Sequence, residues 1–99
     1  MNSSKDSICI HCTVFGKVQG VFFRVSTREQ ALRLNIRGHA KNLSNGNVEV
    51  IACGELRAVE QLKKWLQQGP KNSQVKDVVC EALDIQQTMN YQLNNFKIL

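Results

Sequence analysis

Gly16-Lys17-Val18-Gln19-Gly20-Val21-Phe22-Phe23-Arg24 separates two hydrophobic periods, and that change of period decides the fold. Upstream, Ile8 to Phe15 alternates: Ile8, Ile10, Cys12 and Val14 face one way, and Cys9, His11, Thr13 and Phe15 the other. A period of two predicts a half-buried strand. Downstream, Phe23, Thr27, Ala31 and Leu34 recur at helical spacing, with Arg28, Glu29 and Arg33 on the other side. This predicts an amphipathic helix over Phe23 to Leu34, stopped by Asn35 in a left-handed conformation. The stretch Gly16 to Gly20 is then a loop with a glycine at each end.

Beyond the helix, Gly38 to Leu43 reads as a second strand and Val48 to Cys53 as a third, broken by Gly54. Between them Ser44-Asn45-Gly46-Asn47 carries the Asn-Gly signal of a hairpin. Leu56, Val59, Leu62 and Leu66 form the apolar stripe of a second helix, flanked by Trp65 and ended by Gly69-Pro70. Val75 to Leu83 is a fourth strand, Asp84 to Asn90 a polar loop, and Tyr91 to Ile98 a fifth, edge strand. Each helix has one apolar stripe, so both must pack on one face of the sheet. Right-handed crossovers then give an α+β, ferredoxin-like split β-α-β sandwich, with an antiparallel four- to five-stranded sheet and two helices on one face. Strands one and three are antiparallel neighbours in that arrangement.

The chain has 99 residues, enough for one domain and too few for two. We read 1–7 as a flexible N-terminus and 8–99 as the domain. No apolar run approaches the roughly 20 residues of a membrane span, and the N-terminus lacks a signal peptide's apolar run, so the expected compartment is the cytoplasm. The 13 basic and 8 acidic residues leave a net charge of +5. Between Gly16 and Lys41, the basic residues Lys17, Arg24, Arg28, Arg33, Arg37 and Lys41 stand against Glu29 alone. Such a local positive field favours an anionic partner; phosphate, a phosphorylated metabolite and nucleic acid all satisfy it.

The glycine loop narrows the choice. Glycines let a backbone turn with its amide hydrogens pointing inward, and such a nest before a helix N-terminus cradles phosphate oxygens. Arg24 stands at the start of the helix, where its guanidinium can reach the same anion in bidentate fashion.

Gly16 to Arg24 resembles the signature of the acylphosphatases, and so does Gly38-His39-Ala40-Lys41-Asn42 followed by Asn45-Gly46-Asn47-Val48-Glu49-Val50. Thr27, Ala31, Leu34, Trp65-Leu66, Gly69-Pro70 and Phe96-Lys97-Ile98 also fall where that family would have them, so the resemblance runs from Ile8 to Ile98. It implies hydrolysis of an acyl phosphate to a carboxylate and inorganic phosphate. It also implies that the phosphoryl group is held by the loop Gly16, Lys17, Val18, Gln19, Gly20 and Val21 together with Arg24, and that Asn42 positions the attacking water. A small monomeric enzyme without metal or organic cofactor is expected, binding an acyl phosphate, inorganic phosphate or sulfate. The second motif closes near the end of strand two, so whether Asn42 faces the loop depends on a register the sequence does not fix. The chain departs from the family pattern at His39, where an aromatic is common. It also has Lys17 for a frequent Arg, Asn35 for a common Gly and Asn45-Gly46 for Asp-Gly.

Cys9-Ile10-His11-Cys12 has C-x-x-C spacing, but redox and zinc motifs of that form need a turn or a helix start. In a strand, a separation of three puts Cys9 and Cys12 on opposite faces. A disulfide between Cys9 and Cys53 is the better reading, because they lie on neighbouring antiparallel strands, on the face away from the core, as in some bacterial acylphosphatases. The chain-entropy model gives such a bridge about 4 kcal/mol, although reducing compartments keep thiols open. Cys12 reads as core, Cys80 has no assigned place, and His11 and His39 read as structural or surface residues. No pair of carboxylates stands out. Nucleic-acid binding is disfavoured, because RNA-recognition domains of this topology stack bases on aromatics of the middle strands and Val48 to Cys53 has none. An idle regulatory module would be expected to lose the loop glycines or Arg24, and neither is lost.

Overall fold

A computed structural model describes residues 7–84, 88 and 94–99. The elements follow the order read from the sequence: β1 (Ser7–Lys17), α1 (Phe23–Arg33), β2 (Arg37–Asn42), β3 (Val48–Glu55), α2 (Leu56–Gln68), β4 (Gln74–Leu83) and β5 (Phe96–Ile98). They form one five-stranded sheet in the order β4-β1-β3-β2-β5. The four longer strands pair with one another antiparallel, and β1 and β3 lie side by side. The sheet is nevertheless mixed, because β5 joins the β2 edge in parallel, with Gly38 opposite Phe96 and Ala40 opposite Ile98. The N-terminal segment 1–6 and most of the segment from Ile85 to Leu93 lie outside the described residues, as do the polar loop there and the start of the expected fifth strand. Ser7, expected in the flexible N-terminus, is the first residue of β1.

The predicted stripes meet in the core. Phe23, Thr27 and Ala31 of α1 and Ala58, Val59, Leu62 and Leu66 of α2 are buried. They face Ile10, Cys12 and Val14 of β1 and Val48, Val50 and Ala52 of β3. The Phe23 and Trp65 rings approach to 5.9 Å between centroids, which joins the two helices. At about 25 cal/mol per Å² of apolar surface removed from water, this cluster is the main force holding the helices on the sheet. Asn35 does stop α1 from a left-handed conformation, φ 57°. Asn35 N–H donates to Leu32 and Ile36 N–H to Ala31, the paired bonds of a Schellman motif.

Two glycines take places other than the sequence reading gave them. Gly54 does not break β3: the strand runs on to Glu55, because Ile8 pairs Gly54 and Ser7 pairs Glu55. Its missing side chain instead makes room for Ile36, whose Cγ1 a Cβ would meet at 3.3 Å. Gly16 and Lys17 belong to β1, not to the loop. The register against β4 shifts between Phe15 and Gly16, from Asp77 to Val75. At this bulge Gly16 has φ 130°, and a Cβ there would run into the Gln74 carbonyl oxygen.

Both cysteine pairs lie on directly opposed strand positions and are bonded. Cys9 is joined to Cys53, with Cα atoms 4.1 Å apart. Cys80, unplaced from the sequence, sits opposite Cys12 and is joined to it, with Cα atoms 4.0 Å apart. The bridges therefore tie three strands together, one on each face of the sheet.

Candidate active site

The loop after β1, the first turn of α1 and the end of β2 converge on one cleft. Val18, Gly20, Phe22, Phe23, Arg24, Val25 and Asn42 line it, and it encloses about 300 Å³. Three local features build it.

The first is the helix start. α1 begins at Phe23 after Phe22, whose backbone is left-handed (φ 59°), and no side chain among the described residues caps the first turn. The first intrahelical bond runs from Ser26 N–H to the Phe22 carbonyl. The N–H groups of Phe23, Arg24 and Val25 thus have no helical partner, and no acidic residue stands in that turn. Unsatisfied donors and the positive end of the helix dipole face the same space, which suits an anion.

The second is Arg24. Its Nη1 donates to the main-chain oxygen of Leu99 at 2.7 Å, which anchors the guanidinium, while its four other N–H donors meet no acceptor among the described residues. The cation is therefore held in place beside the uncapped helix start.

The third is Asn42. Its register opposite Val48 settles what the sequence left open: Asn42 lines the cleft together with Gly20, Phe22 and Arg24. Its Oδ1 is buried and has no hydrogen-bond partner among the described residues. A buried acceptor without a donor is costly, so this oxygen is poised for a donor that enters the cleft.

The six loop residues expected to hold phosphate do not behave alike. Val18 and Gly20 line the cleft, and Gly20 is left-handed (φ 77°) with open space where a Cβ would stand. Gly16 and Lys17 pair with β4, and Val21 packs against the core. Gln19 turns its side chain away: Nε2 donates to the carbonyls of Leu43 at 2.8 Å and Asn47 at 2.9 Å. Those carbonyls flank the β2–β3 turn, so Gln19 ties the loop to the hairpin that carries Asn42. Phe22, absent from the expected residues, is 79% exposed at the cleft.

A second polar group on the opposite sheet face escaped the sequence reading. His11 Nε2 donates to Glu49 Oε1 at 3.1 Å and His39 Nε2 to Glu49 Oε2 at 2.8 Å. Glu81 lies 3.6 Å from His11 Nδ1. Burial alone would raise the Glu49 carboxyl, but the hydrogen bonds and charges of His39 and His11 outweigh it and hold its pKa below the ordinary value. Neither imidazole lines the cleft. Among the described residues no cluster of His, Cys, Asp or Glu is arranged to hold a metal ion, and no helix is long and apolar enough to cross a membrane.

Fold and site together define a small ferredoxin-like α+β domain with a cationic, helix-capped cleft at one end of its sheet. The acylphosphatase family model matches residues 10–98. An acylphosphatase of Halorhodospira halophila is 53% identical over 73 residues, 74% of this chain and 79% of that protein. One from Nitrosococcus oceani is 46% identical over 85 residues, 86% of this chain and 96% of that protein. The solved structure of an acylphosphatase from Coxiella burnetii superposes with a TM-score of 0.89 at 40% identity, covering 100% of this chain and 99% of that one. The chain belongs to the acylphosphatase family and is an enzyme of that class, whose substrates are small-molecule acyl phosphates.

Proposed function

We propose that the protein hydrolyses the carboxyl–phosphate bond of acyl phosphates, with the phosphoryl group held by Arg24 and by N–H groups of residues 16–21 and the α1 start, and with water positioned by Asn42. The observation that carries this reading is the buried, unpartnered Asn42 Oδ1 in the same cleft as Arg24 and the uncapped helix N-terminus.

The chemistry asks little more of the protein. An acyl phosphate is activated, since a carboxylate leaves easily, and phosphoryl transfer rests on positioning and on stabilising charge at the equatorial oxygens. Asn42 Oδ1 accepts a hydrogen bond from the water, and its NH2 group can donate to a phosphate oxygen. The water oxygen forms a bond to phosphorus as the bond to the acyl oxygen breaks. The electron pair leaves with the carboxylate, and a proton of the water passes to a phosphate oxygen. No step calls on a metal, an organic cofactor or a protein nucleophile.

We also assign residues 8–99 to a single working unit that acts as a cytoplasmic monomer on a small molecule, with no nucleic-acid or membrane partner. The absence of aromatic side chains on β3 supports this over RNA binding.

The test is hydrolysis of acetyl phosphate and benzoyl phosphate, with EDTA present, by the wild type and Asn42→Ala. Turnover by the wild type and its collapse in the folded variant support the reading. Full activity of Asn42→Ala, or no turnover by a folded wild type, overturns it.

A further inference from the structure

The cleft holds more apolar surface than an inorganic anion uses. Val18, Gly20, Phe22, Phe23 and Val25 are apolar, and only Arg24 and Asn42 present polar side chains. Phe22 is the unusual member. It is 79% exposed, more than any other large hydrophobic residue among the described ones. Its backbone is left-handed at φ 59°, a conformation that a Cβ disfavours and that Gly or Asn adopts readily. Exposure forfeits the gain from burying a ring. The folded chain alone thus recovers neither cost, and the ring takes no part in the core cluster. Both costs fall on the residue that stands directly before the uncapped helix start and two before Arg24.

Resting on the reading of the reaction given above, we propose that Phe22 is a specificity-determining residue: its ring is the surface on which the acyl group of the substrate lies, and it selects acyl phosphates with a bulky apolar acyl group, aromatic above all, over acetyl phosphate. The substrate has two unlike ends, an anionic phosphoryl group and an acyl group. The cleft has a matching division between Arg24 with the helix N–H groups and the Phe22 ring. A volume of about 300 Å³ lies at the lower end of pockets that enclose organic ligands, which leaves space for a ring beside a phosphate. An aromatic acyl group would cover the exposed ring and gain an aromatic contact that acetyl cannot make.

The experiment compares kcat/KM for benzoyl phosphate and acetyl phosphate in the wild type, Phe22→Asn and Phe22→Tyr. Asn keeps the left-handed backbone and removes the ring; Tyr keeps the ring. Intrinsic leaving-group differences cancel when the benzoyl-to-acetyl ratio is compared between proteins. We expect the ratio to fall about three- to tenfold in Phe22→Asn and to stay in Phe22→Tyr. Inhibition constants of benzoylphosphonate and acetylphosphonate should show the same pattern. If Asn does not fold, Phe22→Gly is the second ring-free variant. A ratio that does not move, or an equal loss on both substrates, overturns the proposal and leaves Phe22 as a backbone element of the turn. A folded wild type that hydrolyses neither substrate removes the reaction itself, and the proposal with it. Hydrolysis of both with an unmoved ratio removes the proposal alone.

Discussion

Arg24 and Leu99, 75 residues apart, are joined by a 2.7 Å hydrogen bond from Nη1 to a main-chain oxygen. Leu99 is itself fixed, since its N–H donates to the Ala40 carbonyl, and Ala40 stands on β2 two residues before Asn42. The cation and the amide of the cleft are thus positioned from one strand.

Arg24→Lys separates the charge from the fork. Lysine keeps a positive charge but carries a single donor centre, so it cannot hold Leu99 and a phosphoryl oxygen in two fixed directions. A lost charge-assisted hydrogen bond is worth about 1.5–3 kcal/mol, so kcat/KM for acetyl phosphate should fall about 10- to 150-fold, and at least as far in Arg24→Ala. Steady-state kinetics of the two variants decide it; near-normal turnover in Arg24→Lys would show that charge alone suffices.

Gln19 acts at one remove from the substrate. The Leu43 carbonyl already accepts from Gly46 N–H, and the Asn47 carbonyl from Leu43 N–H, so each keeps one bond if Gln19 is lost. Gln19→Leu should therefore cost about 1–2 kcal/mol of stability for two neutral bonds. Gln19→Glu turns acceptors towards two carbonyls and should be worse. Because the loop and Asn42 would lose their common tie, kcat should fall more than the affinity for inorganic phosphate. Urea unfolding and phosphate inhibition, measured together, separate the two effects.

Both helices and their stripes were legible because helical contacts are local: Phe23, Thr27 and Ala31 reveal themselves within nine residues. What failed was set by pairing across the chain. Gly54 looks like a breaker until Ser7 pairs with Glu55. Gly16 looks like loop until the bulge against β4 places it in the ladder. That same bulge disturbs the alternation of β4, whose burial pattern has no clean period of two, and so Cys80 could not be assigned a face. Asn42 and Arg24 were legible as residue types in motifs, while their meeting depended on the Asn42–Val48 register. His11, Glu49 and His39 come from three strands, 38 and 10 residues apart, and no local pattern joins them.

Glu49 makes stability depend on acid in a defined sense. Its pKa in the folded protein lies below the ordinary 4.5 because two histidines bond to the carboxylate. A depressed carboxylate contributes stability that is complete above its unfolded-state value and is lost as pH falls through the folded-state value. Glu49→Gln has no charge to lose. Its urea midpoint should lie below that of the wild type at neutral pH, and the gap should narrow only under pH 4.5. A gap constant down to about pH 3 would show that the bonds matter as packing and not as charge.

The two disulfides give the last prediction, because they bear on where the protein works. In the chain-entropy model a bridge closing 44 residues and one closing 68 each contribute about 4 kcal/mol. Their loops overlap, so reducing both should cost less than the sum. Intact mass after alkylation of the unfolded chain should show no accessible thiol without reductant and four with it, and reduction should lower the urea midpoint. Protein alkylated at the moment of cell lysis tests the cytoplasmic assignment separately, since glutathione and thioredoxin hold cytosolic thiols reduced. Four alkylated thiols there mean that the fold stands on its apolar core alone in the cell. Intact bridges there would instead move the protein to an oxidising compartment. Neither bridge lines the cleft, so kcat/KM should be unchanged by reduction below the temperature at which the reduced protein melts. A parallel loss of activity would show that β1, which both bridges tie, transmits strain to the loop that follows it.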